Sequence, residues 1–259
     1  MCYDIAAGKK AAIKYAKYRG ADPAEIAKLE EELIEWLKIN QGHHYVSGFA
    51  HPRVLTFTNQ NPKVPQAFNW GLIPVWIKDK TQAKTIANQT LNARVETLFE
   101  KPSFKNAIKH NRCLIYIDAF YEHNHFMGKT YPFHISMKDE SPMCLAGIWQ
   151  EWVNREAGEV VKTISIITTK GNPIMAKIHN NPKLEEARMP VILKQADQEE
   201  WLSIPDTEVN AKRLAHFFQP FDPLLLSYHT VQTLKGKAAI GDVPEAEQAF
   251  KYEELSFNP

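Results

Sequence analysis

The residue whose position most favours chemistry is Cys2, followed by Tyr3-Asp4-Ile5-Ala6. Removal of Met1, expected where the second residue is small, leaves a chain beginning with an amine and a thiol on adjacent carbons. Such an α-amine titrates near about 7.7–8.0, well below a lysine, so a useful fraction is neutral at physiological pH. A neutral amine attacks an aldehyde to give an imine, and the neighbouring sulfur then closes a five-membered thiazolidine. Neither an internal cysteine nor a lysine can do both.

Three further segments carry groups able to assist. In Leu91-Asn92-Ala93-Arg94-Val95-Glu96-Thr97, Asn92 suits positioning of a substrate or of the N-terminus, and Arg94 suits a phosphate held in a fork. An apolar run from Cys113 ends in Asp118-Ala119-Phe120-Tyr121-Glu122. A carboxyl packed among aromatics tends toward a raised pKa, which fits a proton donor and acceptor. In the third segment, Thr168-Thr169-Lys170-Gly171-Asn172-Pro173 leads to His179 and then to Arg188-Met189-Pro190. His179 can orient or protonate an opening sugar, and Arg188 can bind a phosphate. Read singly, each group also fits an ordinary role. Cys2 is then an incidental small residue, Asn92 a helix cap with Arg94 in a surface ion pair, Glu122 a surface acid and His179 a structural imidazole.

The elements that must hold these groups are mostly strands. Strand patterns fall at residues 54–58, 113–117, 131–137, 143–149 and 161–168, spaced like a meander with Gly, Pro or charged clusters between them. Residues 21–40 read as a helix, with Asp22 as cap, Pro23 in the first turn and an apolar stripe of Ile26, Leu29, Leu33, Trp36 and Leu37. Residues 9–19 read as helical too, so a helical insertion separates Cys2 from everything after it. Short helices are expected at residues 102–110, 173–176, 198–202 and 209–218. The pattern is α+β, with a mixed, barrel-like β core and short peripheral helices. With no internal repeat or linker in view, residues 1–259 are expected to form one domain.

Composition narrows the function classes. Of 259 residues 44% are hydrophobic, enough for a sizeable core, yet no run is apolar for long enough to cross a bilayer. No secretory pattern opens the chain, so a cytoplasmic protein is expected. The formal net charge is +1, so any grip on nucleic acid must come from a local groove rather than a polycationic surface. Three cysteines without a Cys-x-x-Cys spacing argue against a disulfide framework or zinc ribbon. In Glu122-His123-Asn124-His125, extended-chain alternation puts the two histidines on one face and Glu122 on the other. With no fourth ligand in view, neither a metal nor another cofactor is expected.

Taken in order, seven segments resemble one family. They are Met1-Cys2, Asn92-Ala93-Arg94-x-Glu96-Thr97, Lys101-Pro102-Ser103-Phe104, Arg112-Cys113-Leu114, Phe120-Tyr121-Glu122, Ala146-Gly147-Ile148-Trp149 and Arg188-Met189-Pro190. The family is that of the SOS-response-associated peptidases (SRAP), and the likeness runs from Met1 to about Leu202. It implies an α+β fold around a barrel-like core, binding of single-stranded DNA, and covalent capture of abasic sites by an N-terminal cysteine. Cys2 would then be the nucleophile, Asn92 its positioning group, Glu122 the acid/base, and His179 the aid to sugar opening and adduct reversal. Arg94, Arg188 and Thr168 would face the DNA. Trp70-Gly71-Leu72-Ile73-Pro74-Val75-Trp76 resembles the family's tryptophan-bearing segment, so Trp70 or Trp76 would stack on a base. Lyase and Met1-removing autopeptidase activities belong to the same implication. The other readings are a thiol peptidase using Cys2 and a non-enzymatic binder of single-stranded DNA.

The chain departs from the family pattern in three places. Tyr3-Asp4 stands where relatives continue Gly-Arg, Gly48-Phe49-Ala50-His51-Pro52 is the nearest match to an Asn-x-Ala-Pro segment, and Asn180 to Ala187 lengthen the step from His179 to Arg188.

Overall fold

A computed structural model describes residues 2–7, 22–24, 26–28, 30–31, 42–155 and 157–255. Twelve strands lie among them: β1 (Asp4–Ala7), β2 (His43–Ser47), β3 (Arg53–Thr58), β4 (Gln66–Trp70), β5 (Asn92–Arg94), β6 (Arg112–Ile117), β7 (Ala119–Phe126), β8 (Lys129–Met137), β9 (Met143–Asn154), β10 (Glu159–Lys170), β11 (Arg188–Pro190) and β12 (Leu226–Thr230). The helices are α1 (Lys80–Gln89), α2 (Lys105–His110), α3 (Pro173–Ile178), α4 (Gln195–Ser203) and α5 (Ala211–Leu214).

Strands β10, β4, β3, β6 and β9 pair in that order, and β9 pairs back to β10, which closes a five-stranded barrel. The β10–β4 pairing is parallel and the other four are antiparallel. Closure leaves these strands no free edge. The short strands β5 and β11 join β10 beyond the ring. The α+β architecture with a mixed, barrel-like β core is therefore the one expected. Of the helix expected over residues 21–40 only pieces are described; Asp22 accepts the Ala24 N–H at 2.9 Å, as a cap does. The rest of that helix, and residues 9–19, lie outside the described residues.

Strand β6 shows why the core forms here. All six of its residues are buried, because alternate side chains enter two different clusters. Leu114 and Tyr116 pack with Phe57, Ile148 and Trp201. Cys113, Ile115 and Ile117 pack with Leu145, Ile164 and Ile166, in the cluster that also takes in Cys2, Ile5 and Phe120. The first residues of the chain are thus built into the core.

The apolar run from Cys113 to Glu122 is two strands rather than one. The chain breaks at Asp118, whose N–H donates to Ala6 O at 2.9 Å, and passes from the barrel into a second sheet of order β12-β8-β7-β1-β2. In that sheet β1 lies between β7 and the edge strand β2, antiparallel to both, with Asp4 opposite Tyr121 and Ile5 opposite Phe120. The N-terminal strand is therefore laid beside the strand bearing Glu122. The last part of the chain straps this sheet: β12 pairs β8, and the Asp242 carboxylate accepts the His44 and Tyr45 N–H groups at 2.7 and 3.0 Å.

Candidate active site and nucleic-acid interface

Cys2 is fully buried, and the Asn92 amide donates to its carbonyl at 2.7 Å. Asn92 can reach it because β5 runs parallel to β10, with Asn92 opposite Ile166. On β7 the alternation buries Glu122 and Asn124 and leaves His123 and His125 half-buried. Asn124 donates to Lys177 O at 2.9 Å, which ties α3 to β7. His179 closes α3, and this tie brings its Nδ1 to 3.7 Å from Glu122 Oε1. Helix α3 itself starts from Asn172, whose side chain accepts the Met175 N–H at 2.9 Å. Gly171 before it is a close approach: a Cβ there would lie 3.0 Å from the Cβ atoms of Ala187 and Met175.

Electrostatics sort these groups. Burial pushes the Glu122 carboxyl up to about 7, and burial pushes His179 down to about 4. At neutral pH Glu122 divides between acid and base, whereas His179 is neutral. Burial, and then the Glu122 charge, raise the Cys2 thiol well above its ordinary range. The influence of Glu122 on that thiol puts the two groups in one electrostatic environment. A cavity of about 330 Å³ opens beside them, lined by Tyr3, Glu122, His125, His179, Leu184 and Lys235. A larger depression of about 410 Å³ near Asp118, His134 and Glu247 includes none of the expected site residues.

The arginines line a second depression, which shares Leu184 with that cavity. Thr168 on β10 lies opposite Arg94 in one direction and Pro190 in the other, which assembles Arg94, Thr168 and Arg188 into one patch. Arg188 is 2% exposed, with its guanidinium forked onto Glu96 at 2.6 and 3.0 Å, and it also donates to Glu186 at 2.9 Å and Thr168 O at 2.8 Å. Its N–H lies 3.3 Å from His179 Nδ1, so the longer step between His179 and Arg188 still returns them to one another. Arg94 keeps a more open guanidinium, 3.6 Å from Glu96 and 3.7 Å from Glu186. Thr168 is fully buried. Trp70 is fully buried and donates its indole N–H to Leu91 O at 2.7 Å, whereas Trp76 is 53% exposed. Of the two indoles, Trp76 alone presents a face to a partner.

Comparison with known proteins identifies the lineage. Residues 11–238 match the family described as SOS response associated peptidase (SRAP). The chain belongs to the SRAP family.

Among SRAP relatives it is 35% identical over 213 residues to the Bacillus subtilis protein named abasic site processing protein YoqW, spanning 79% of this chain and 88% of that one. It is 27% identical over 207 residues to the Gallus gallus abasic site processing protein HMCES, spanning 72% of this chain and 58% of that one. A solved structure from Bacteroides thetaiotaomicron superposes with a TM-score of 0.78 at 31% identity, covering 96% of this chain and all of that one. The residues matched to the SRAP description begin after Cys2, so the case for that residue rests on its surroundings.

Several groups around the SRAP site were not singled out from sequence. Glu96 and Glu186 hold Arg188; Glu96 stands inside a motif, but a carboxylate two residues from an arginine does not announce which arginine it binds. Asn180 accepts the His125 N–H at 2.6 Å and donates to His125 O at 3.0 Å, so the extra residues are sewn onto β7. Asp4 is 2% exposed and lies 2.6 Å from Lys235 Nζ, and its other oxygen accepts from Tyr45 OH at 3.2 Å. The acid that replaces the family's arginine is thus turned inward and neutralised. No local pattern links Asp4 to Lys235, because the register of β1 and the C-terminal strap brings them together.

Proposed function

We propose that this protein processes abasic sites in DNA by joining them covalently to its own N-terminus. Loss of Met1 makes Cys2 the terminal residue. The abasic sugar opens to its aldehyde with a proton moved by Glu122, beside neutral His179. The Cys2 amine adds to the aldehyde carbon, and water leaves to give an imine. The Cys2 sulfur then bonds to the same carbon while the thiol proton passes to nitrogen, which closes the thiazolidine. Hydrolysis by the reverse steps ends the adduct; β-elimination from the imine instead breaks the sugar C3′–O bond, releases the downstream strand with its 5′-phosphate and leaves the imine to be hydrolysed. Arg94 is the cation open to a phosphate, backed by the buried Thr168 and by Arg188, whose guanidinium is held by Glu96 and Glu186, and Trp76 stacks on an unpaired base.

The observation that carries this reading is the meeting of Cys2, Asn92, Glu122 and His179 from four separate chain segments. A titratable acid near 7 beside an amine of about 7.7–8.0 suits imine chemistry at neutral pH. The same surroundings disfavour a thiol peptidase, which needs a stabilised thiolate, whereas burial and Glu122 raise this thiol. Names borne by the relatives YoqW and HMCES point the same way. Among the described residues no helix is long and apolar enough to cross a membrane.

The test is intact mass under denaturing conditions, before and after incubation with an abasic single-stranded oligonucleotide. Loss of Met1 and a gain of one oligonucleotide, absent in Cys2→Ala, are expected. Protein that begins with Cys2 and gains nothing would overturn the reading.

A further inference from the structure

Lys235 enters the site from the end of the chain, and its placement is specific. It follows Leu234, which is 3% exposed and packed with Ala6, Ala119, Tyr121 and Val231. The turn behind it is closed by Ile240 N–H donating to Thr233 O at 3.1 Å. The lysine side chain is 52% exposed while its partner Asp4 is 2% exposed, with 2.6 Å between Nζ and Oδ2. The pair is therefore a dipole with its negative end sunk in β1 and its ammonium facing the cavity that Glu122 and His179 line. An ammonium has three donors, and Asp4 uses one. The same cavity shares Leu184 with a second depression of about 290 Å³, lined by Arg94, Lys183 and Arg188 and also by Glu185 and Glu186. A strand laid through both depressions meets Lys235 beside the reacting groups in one and Arg94 in the other.

We infer that Lys235 is a phosphate-binding residue of this site, held in place by Asp4, and that it grips the phosphodiester on one side of the abasic nucleotide while Arg94 grips the other. The inference rests on the reading given under Proposed function and adds a residue to it. Asp4 is here a positioning residue: it touches no substrate and fixes where the ammonium points. A compact ammonium suits this task, since it satisfies a phosphate from any direction and needs no fork.

The test uses full-length protein and a single-stranded oligonucleotide carrying a tetrahydrofuran abasic analogue, which cannot open to an aldehyde, so that binding is read without capture. Fluorescence anisotropy between 50 and 200 mM salt, as an order-of-magnitude window, gives affinity and salt slope. For Lys235→Gln the slope of log K against log salt is expected to be shallower by about 0.7, the loss of one phosphate contact to a single strand. Lys235→Arg should restore it. Asp4→Asn decides the positioning role: removing an acid from a DNA site ought to tighten binding by bulk electrostatics, whereas loss of the anchor weakens it. A slope unchanged in Lys235→Gln would overturn the lysine's role, and tighter binding in Asp4→Asn would overturn the anchor's. Intact mass with a true abasic oligonucleotide keeps the two proposals separate. Wild-type adduct with an unchanged Lys235→Gln slope sinks this inference alone. A shallower slope without any wild-type adduct sinks the covalent reading and leaves Lys235 as a phosphate contact; neither binding nor adduct sinks both.

Discussion

The side-chain amide of Asn92 donates to the carbonyl of Cys2 at 2.7 Å, joining the second residue of the chain to a strand at the rim of the barrel. The bond uses the carbonyl and leaves the Cys2 amine and thiol to react. Asn92 Oδ1 is buried with no hydrogen-bond partner among the described residues, which provides an acceptor for a terminal amine beside it. Asn92→Ala should therefore retain Cys2 chemistry but lose its aim. A hydrogen bond of about 1 kcal/mol corresponds to a roughly fivefold slower capture. Asn92→Asp should be slower still, because a carboxylate would face the Cys2 carbonyl oxygen. Single-turnover capture rates on an abasic oligonucleotide check both, and rates equal to wild type would remove Asn92 from the site.

Amine and thiol should separate in Cys2→Ser. The amine remains, so borohydride should trap an imine, while no lasting adduct survives denaturation without reductant. Cys2→Ala should behave the same way, since it too keeps the amine on trimming of Met1, and the stable adduct should be missing from both. Failure to trap anything in trimmed Cys2→Ser would show that sulfur, not nitrogen, attacks first. Mass spectrometry with and without borohydride reads the difference.

Much of this site was legible in the sequence because its groups sit in compact motifs. Asn92 and Arg94 share one short motif, Pro173 opens a short helix, and alternation along β7 puts Glu122 opposite in facing to His123 and His125. The barrel's long strands were visible as apolar, β-branched runs. The strands β1, β2, β4, β5, β11 and β12 were not, since they have three to five residues and owe their form to neighbours rather than to propensity. Asp118 illustrates the limit. A single acid in an otherwise apolar run does not say that one strand there leaves the barrel for the second sheet, and the hydrogen bond to Ala6 that fixes the break comes from far away in sequence. Trp70 and Trp76 look alike in the sequence, and only the packing separates a buried indole from an exposed one.

That separation gives a paired test. Trp76→Ala should weaken binding to single-stranded DNA by about 1–3 kcal/mol, the range for one base–aromatic stack, with little change in thermal stability. Trp70→Ala should cost about 3–5 kcal/mol of folding stability through the cavity it leaves and the stranded Leu91 carbonyl. Anisotropy and thermal denaturation on both variants measure the two effects. A Trp76→Ala protein with wild-type affinity would place the base contact elsewhere.

Glu122 links rate and stability to pH in opposite senses. Capture needs a neutral amine, whose fraction grows as pH rises through about 8, and a protonated Glu122, whose fraction falls as pH rises through about 7. The capture rate should therefore be bell-shaped, with its maximum between those values. Glu122→Gln should be slower and should lose the alkaline limb, reaching a plateau instead. Stability follows from the same shift. The folded carboxyl keeps its proton up to about 7, while the unfolded chain, at 4.5, has already released it. The buried acid therefore costs nothing below about 4.5, and its penalty grows as pH rises to 7. Glu122→Gln should match wild type in thermal midpoint at pH 4.5 and exceed it at pH 8, so that the variant is the more stable and the less active protein. Equal midpoints at both pH values, or an alkaline limb that survives the substitution, would show that Glu122 is not the group that titrates in this site.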